Sequence, residues 1–332
     1  MIISRTPFRI SFFGGGTDFP TWYRENTGAV LSTTIDKYCY ISCRCLPPFF
    51  EYRHRIVYSR HEQVNKIDEI VHPSVRETFR FMDITDGLEI HHDGDLPART
   101  GLGSSSAFTV GLLHALYALK GKMVSKKKLA LDAIHVEQAM IKENVGSQDQ
   151  VAAAFGGLNK ISFSGDHNIV VIPVTIGRER IQQFEDHLML FFTGFVRTAS
   201  QIEAEKIKHL SLKENELMEM QKKVDDAFSI LHMGDLVDFG RLLNENWKLK
   251  KTLSDKVSND FIDHIYEIAT KNGAIGGKIL GAGGGGFILF FVRREDREQL
   301  RKALGFLSHV PFHFDTTGSQ IIYFTNGVVQ LQ

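Results

Sequence analysis

Leu96-Pro97-Ala98-Arg99-Thr100-Gly101-Leu102-Gly103-Ser104-Ser105-Ser106-Ala107 is the stretch on which the reading of this chain turns, because a helix-like run follows it at once. A glycine- and hydroxyl-rich turn that opens a helix presents backbone N–H groups at the positive end of the helix dipole, which makes a cradle for phosphate. Gly101 and Gly103 permit close backbone approach, Pro97 stiffens the way in, and three serines add hydroxyls for a phosphate oxygen or a Mg²⁺ ion. An ordinary helix start draws on the same residue types. The loop is not a Walker A motif, since GxxxxGK[ST] occurs nowhere in the chain.

Around this loop the pattern is mixed. Alternation in Phe8–Phe12 predicts a strand that Gly14-Gly15-Gly16 breaks, with further strands around 28–46, 55–59 and 86–92 and a helix near 73–82. The loop should feed a helix over about 104–119, and Ser125 is a plausible N-cap for another running to about 144. A short helix starting in Gly146-Ser147-Gln148-Asp149-Gln150 should stop at Gly156-Gly157, before strands near 158–163 and 168–174. The apolar strand His187–Phe192 opens the second half, followed by helices over about 199–233, 235–252 and 258–272. A glycine-rich run, Gly276–Gly286, leads into the strand Phe287–Val292; a helix near 294–305 and strands near 309–315 and 319–325 close the chain. Strand and helix runs recur on both sides of residue 180, which predicts an α+β protein with two domains, 1–180 and 181–332.

Composition narrows the partners. Lysine plus arginine balance aspartate plus glutamate at 39 each, so no global field favours nucleic acid or an anionic membrane. No apolar stretch approaches the roughly 20 residues that span a bilayer, and the first residues read as a strand rather than a signal peptide. Cys39, Cys43 and Cys45 alternate with Tyr40, Ser42 and Arg44, so with Ile41 they belong to one strand face; no CxxC pair supports a metal site. A cytoplasmic protein with no nucleic-acid or membrane partner is expected.

Several side chains admit both a structural and a chemical reading. Glu137 has Ala133, Ile134, Met140 and Ile141 as helical neighbours, an apolar stripe on which a carboxylate needs a partner or a cation. Asp149 falls in the first turn of a short helix, where it either caps the N-terminus or faces an acceptor hydroxyl. Arg9 points opposite to Phe8 and Ile10 and is either solvated or lines a cleft; Asp18 either forms the turn after Gly16-Thr17 or accepts sugar hydroxyls. Gly281-Ala282-Gly283-Gly284-Gly285-Gly286 contains a formal GxGxxG, but a strand follows it where a dinucleotide fingerprint needs a helix. A loop packed close to the other domain's ligand suits it better.

Taken in order, these features resemble the GHMP kinases, the superfamily of galactokinase, homoserine kinase, mevalonate kinase and phosphomevalonate kinase. The resemblance rests on Pro7-Phe8-Arg9-Ile10 with Gly14-Gly15-Gly16-Thr17-Asp18, on Pro97 through Ser106, on Gly146 through Gln150, and on Lys278 through Gly286, and it covers essentially the whole chain. Galactokinase carries Gly-Glu-His-Thr-Asp where this chain has Gly14–Asp18. The opening Phe13–Asp18, followed by Gly28–Asp36, is similar instead to the D-glycero-D-manno-heptose 7-phosphate kinases, and fucokinase-like enzymes carry a related one.

The resemblance implies a mixed β/α N-terminal domain, a ferredoxin-like α+β C-terminal domain, and ATP with Mg²⁺. It implies that Pro97, Gly101, Leu102, Gly103, Ser104, Ser105 and Ser106 hold the ATP phosphates, and that Ser105 and Glu137 hold Mg²⁺. Asp149 would face the acceptor hydroxyl, and Arg9 would favour its alkoxide-like state. Gly15, Gly16, Thr17 and Asp18 would bind the sugar, and Gly283 and Gly284 would close over it from the C-terminal domain. The implied reaction is ATP-dependent phosphorylation of the anomeric C1 hydroxyl of D-glycero-D-manno-heptose 7-phosphate to the 1,7-bisphosphate, toward nucleotide-activated heptose. A kinase for a free sugar such as L-fucose is the alternative, and a non-catalytic sugar or ATP sensor is a third. Arg99, Lys160 and Arg197 are candidates for a second phosphate, and Ile56–Ser59 for the adenine neighbourhood.

Overall fold

Two long antiparallel strands, β1 (Ile2–Phe13) and β2 (Gly28–Cys45), carry the rest of the first sheet. Alternation of Phe8, Ile10 and Phe12 with polar residues makes β1 a strand with one apolar face, and the glycine turn after Phe13 ends it. In the computed structural model, which describes residues 1–194 and 213–325, the sheet runs β13 (Gln320–Phe324), β1, β2, β5 (Leu88–Gly94), β3 (His54–Val57), β4 (His61–Val64). β6 (Asn159–Ser164) pairs with the start of β2 and with β7 (Asn168–Pro173), and β12 (Phe314–Asp315) joins the middle of β2. β3 and β5 run parallel, and the other described pairs are antiparallel.

Helix α3 (Ser104–Leu119) packs on β1 and β2 and is flanked by α4 (Lys126–Ile134) and α5 (Gln148–Phe155). Ser125 does cap α4, accepting the N–H of Lys128 at 3.2 Å. Beyond Ile134 the helix widens into a π-helical turn, His135–Ile141, which stops at Lys142 in the left-handed conformation. The second sheet is antiparallel in the order β11 (Ser308–Val310), β8 (Leu188–Phe192), β10 (Phe287–Val292), β9 (Ala274–Ile279). α7 (Glu214–Met233) touches β2, while α8 (Leu236–Thr252) and α9 (Asp260–Lys271) pack on β9. The α+β class therefore holds. The part of the expected 199–233 helix before residue 213 lies outside the described residues.

The division at residue 180 does not follow the sheets. β12 and β13, expected in the second domain, return to pair with β2 and β1. An antiparallel sheet with a free edge beside β1 offers the returning chain a full ladder of backbone partners. The halves are joined by aromatic packing as well: Phe12 of β1, Phe184 and Phe239 of α8 have ring centroids 4.7–5.5 Å apart. Cys39, Ile41 and Cys43 are buried on one face of β2 as expected, and Cys45 at the strand end is exposed. Among the described residues no helix is long and apolar enough to cross a membrane.

Candidate active site

The loop between β5 and α3 is held open at the helix start. Gly103 occupies the N-cap with a φ of +72° and no side chain caps the first turn of α3. The N–H groups that open this helix are thus left for a ligand, and the dipole favours an anionic one. Leu102 is fully buried and its carbonyl accepts the N–H of Arg9 at 3.0 Å, which ties the loop to β1. Ser104 Oγ accepts the N–H of Arg99 at 3.0 Å, and the Thr100 hydroxyl donates to the Pro97 carbonyl at 2.7 Å.

The C-terminal glycine run seals this loop from the other side. A Cβ on Gly281 would lie 2.5 Å from the Cα of Gly101, and one on Gly286 would lie 2.3 Å from the Thr100 carbonyl oxygen. The Phe287 N–H donates to that same carbonyl at 3.1 Å. Only glycine allows main chain to meet main chain here. Gly281→Ala, at a φ of +68°, is expected to lose about 2–4 kcal/mol through left-handed strain and overpacking. Urea denaturation checks this; an unchanged midpoint would mean that the loops are not locked together.

Arg9 and Asp149, 140 residues apart in sequence, form a bidentate pair: Nε donates to Oδ1 and Nη2 to Oδ2, each at 2.8 Å. Arg9 is buried and also donates through Nη1 to the Gly101 carbonyl. A Cβ on Gly103 would lie 3.2 Å from Arg9 Cγ and 3.4 Å from Asp149 Oδ2, so the phosphate-type loop abuts the pair. Asp18 lies nearby and is 1 % exposed. It accepts the N–H of Gly16 at 2.9 Å and the N–H of Gln148 at 3.4 Å, and its carboxylate lies directly against Gly146. Burial pushes its carboxyl above the ordinary range; the Gly16 N–H opposes this and repulsion from Asp149 adds to it.

Glu137 lies in the π-helical turn, with no exposed surface. Its Oε2 accepts from the Ser106 hydroxyl at 2.9 Å and from Gln150 Nε2 at 2.5 Å, while Oε1 is buried without a partner. Burial, reinforced by repulsion from Glu143, pushes the carboxyl up to about 7. A buried carboxylate beside the hydroxyls of Ser106 and Thr109 is a hard-oxygen donor set that suits Mg²⁺. The serine that meets Glu137 is Ser106; Ser105 is exposed on the first turn of α3.

Arg9, Asp149, Asp18, Gly15 and Gly16 line one solvent-open cleft. Other expected positions do not reach it. Thr17 is fully buried, donates its hydroxyl to the Gly14 and Ala29 carbonyls at 2.8 and 2.9 Å, and shapes the turn instead. Gly283 and Gly284 pack under Val257, whose carbonyl accepts the Gly284 N–H at 3.0 Å; Gly281 and Ala282 line the cleft in their stead.

Among the polar and charged lining residues, Ser11, Gln148, Lys250 and Lys278 had no role assigned from the sequence. Ser11 was detectable, since it stands two residues beyond Arg9 on the same strand face. Gln148 adjoins Asp149, and Lys278 opens the glycine run. Lys250, in the last turn of α8, reads as an ordinary basic helix end. Both lysines are buried and donate to main-chain carbonyls: Lys278 to Ser11 and Phe12, each at 2.8 Å, and Lys250 to Ile279 and Gly281 at 3.1 and 2.6 Å. Near the loop, Tyr58 stands edge-on to His72 at 4.7 Å between ring centroids, and His72 stacks on Phe108 of α3 at 4.6 Å. Burial pushes the His72 imidazole down to about 4, so it is a neutral aromatic face near pH 7.

The family pattern described as GHMP kinases N terminal domain matches residues 66–157, and that described as GHMP kinases C terminal matches residues 219–307. The chain belongs to the GHMP kinase family, and within it is an ATP-dependent sugar kinase. It is 31% identical over 320 residues to D-glycero-alpha-D-manno-heptose 7-phosphate kinase of Campylobacter jejuni, covering 91% of this chain and 93% of that one. It is 26% identical to the bifunctional fucokinase/GDP-fucose pyrophosphorylase of Arabidopsis thaliana, over 90% of this chain and 30% of that one. A crystal structure of a D-glycero-D-manno-heptose 1-phosphate kinase from Bacteroides thetaiotaomicron has the same fold, with a TM-score of 0.81 at 23% identity over 98% of this chain and 100% of that one.

Proposed function

We propose that this kinase transfers the γ-phosphoryl group of Mg²⁺-ATP to the anomeric C1 hydroxyl of D-glycero-D-manno-heptose 7-phosphate, giving the 1,7-bisphosphate for nucleotide-activated heptose. The observation that carries the chemistry is the Arg9–Asp149 pair, set between the open helix start of α3 and buried Asp18. The acceptor oxygen attacks the γ-phosphorus as the bond to ADP breaks. Asp149 accepts the hydroxyl's hydrogen bond and aims its lone pair, and Arg9 favours the negative charge that develops on the oxygen. The proton of that hydroxyl leaves to Asp149 as the new P–O bond forms, or to solvent after transfer where the carboxylate only orients it. Asp18 contacts the sugar's other hydroxyls.

The N–H groups of residues 104–106 hold the phosphates, and Glu137 with a loop serine, Ser105 or Ser106, holds the cation. When bound, Mg²⁺ neutralises charge on the phosphate oxygens. Tyr58 and His72, backed by the buried Phe108, form the aromatic surface on which adenine rests. A consumer of ATP with free thiols suits the cytoplasm.

The heptose assignment rests on the Campylobacter relative. The two heptose kinases differ by name in the phosphate of the heptose, 7-phosphate in one and 1-phosphate in the other. One observation favours a free sugar instead. Among the described residues, the cations lining the cleft are engaged: Arg9 with Asp149, Lys250 and Lys278 with main-chain carbonyls. Of the second-phosphate candidates, Lys160 pairs with Asp225, Arg99 belongs to the phosphate loop and does not line the cleft, and Arg197 lies outside the described residues. ADP release with the heptose 7-phosphate, L-fucose, mannose and galactose decides. Turnover confined to the heptose phosphate is expected; turnover with a free sugar would keep the mechanism and discard the heptose. Silence with every sugar would return the sensor reading.

A further inference from the structure

Two polar atoms at the cleft have no partner. Ser11 Oγ and Gln148 Oε1 are shielded from bulk water and make no hydrogen bond within the protein, yet both residues line the cleft beside Arg9 and Asp149. They flank the same glycine: a Cβ on Gly15 would lie 3.9 Å from Ser11 Oγ and 3.6 Å from Gln148 Nε2. Ser11 shares a strand face with Arg9, and Gln148 immediately precedes Asp149 in the first turn of α5. Asp18 holds this turn of α5 in place, its Oδ2 accepting the Gln148 backbone N–H at 3.4 Å. The Gln148 carbonyl oxygen is a pure acceptor.

Buried polar atoms are almost always paired, and an orphan weakens a fold unless a ligand completes it. Alanine and methionine would fill these two positions with similar volume and no orphan. We propose that Ser11 and Gln148 are specificity-determining residues that together read the sugar hydroxyl next to the one phosphorylated. That hydroxyl donates to Gln148 Oε1 and accepts from the Ser11 O–H, so both orphans are satisfied only when it is present. The ligand class is a sugar with a free hydroxyl vicinal to the acceptor carbon. The inference rests on the sugar-acceptor reading of this cleft, not on which sugar it is.

The test compares kcat/KM for the accepted sugar and for its analogue lacking the vicinal hydroxyl, in the wild type, Ser11→Ala and Gln148→Met, with denaturation midpoints alongside. The wild type should reject the deoxy analogue by about 10²-fold or more, because a site built for a hydroxyl is left unpaired without it. Each variant should lose about tenfold on the full sugar and nothing on the analogue. The preference then shrinks while the KM for ATP stays unchanged. The Ser11→Ala midpoint should hold or rise, since that substitution removes an unsatisfied group. Equal losses on both sugars, or a fallen midpoint with the preference intact, would overturn the proposal in favour of a structural role. Wild-type silence toward every sugar would instead overturn the acceptor reading itself, a result visible before any substitution is compared.

Discussion

Asp149→Asn is expected to lower kcat by about 10²–10⁴-fold, the range a positioned acid–base group contributes, with the KM for ATP little changed. Asp149 offers two oxygens to the Arg9 fork at 2.8 Å each. Asparagine keeps the shape but has one acceptor, and its NH₂ then meets a guanidinium that can only donate. The acceptor hydroxyl loses the anionic group that aims it, and Arg9, with 5% of its side chain exposed, loses its counter-charge. Leaving a buried donor unpaired costs about 1–3 kcal/mol, more when it is charged, so the urea midpoint should fall as well. Single-turnover rates measured where the variant is fully folded separate the two effects. A rate left at the wild-type level would remove Asp149 from the acceptor hydroxyl.

That pair also shows where the sequence stops being readable. Arg9 and Asp149 could each be singled out by residue type and local context, but their contact depends on β1 and α5 meeting around Gly103, which no local pattern encodes. The order of glycine-rich motifs was enough for the fold class, because glycine spacing is a backbone property. Motif position was a poor guide to which residues line the cleft. Thr17 sits within the first glycine turn yet bonds Gly14 and Ala29, and Gly283 and Gly284 turn under Val257. The return of β12 and β13 to the first sheet was hidden because antiparallel edge pairing depends on which strand is left open, not on the pattern of the arriving one. Lys250 reached the cleft only through the packing of α8 on β9.

Glu137→Gln should move stability and turnover in opposite directions. Burial raises the carboxyl from 4.5 to about 7, so the fold favours the protonated form. The stabilisation linked to that proton is complete below pH 4.5 and is lost as pH rises through about 7. A displacement of this size corresponds to on the order of 3 kcal/mol. Glutamine is neutral throughout, keeps the volume, and can still accept from Ser106 and Gln150. Without divalent cations the variant should therefore match the wild type near pH 4.5 and exceed it at pH 8 in urea denaturation. Turnover should nonetheless fall by roughly 10²–10³, because an anionic oxygen donor for the cation, typically worth several kcal/mol, is gone. The Mg²⁺ concentration for half-maximal rate should rise with it. Wild type and variant tracking each other across pH would mean that the carboxyl is not held protonated by the fold. Turnover with an unchanged Mg²⁺ requirement would place the cation on other oxygens.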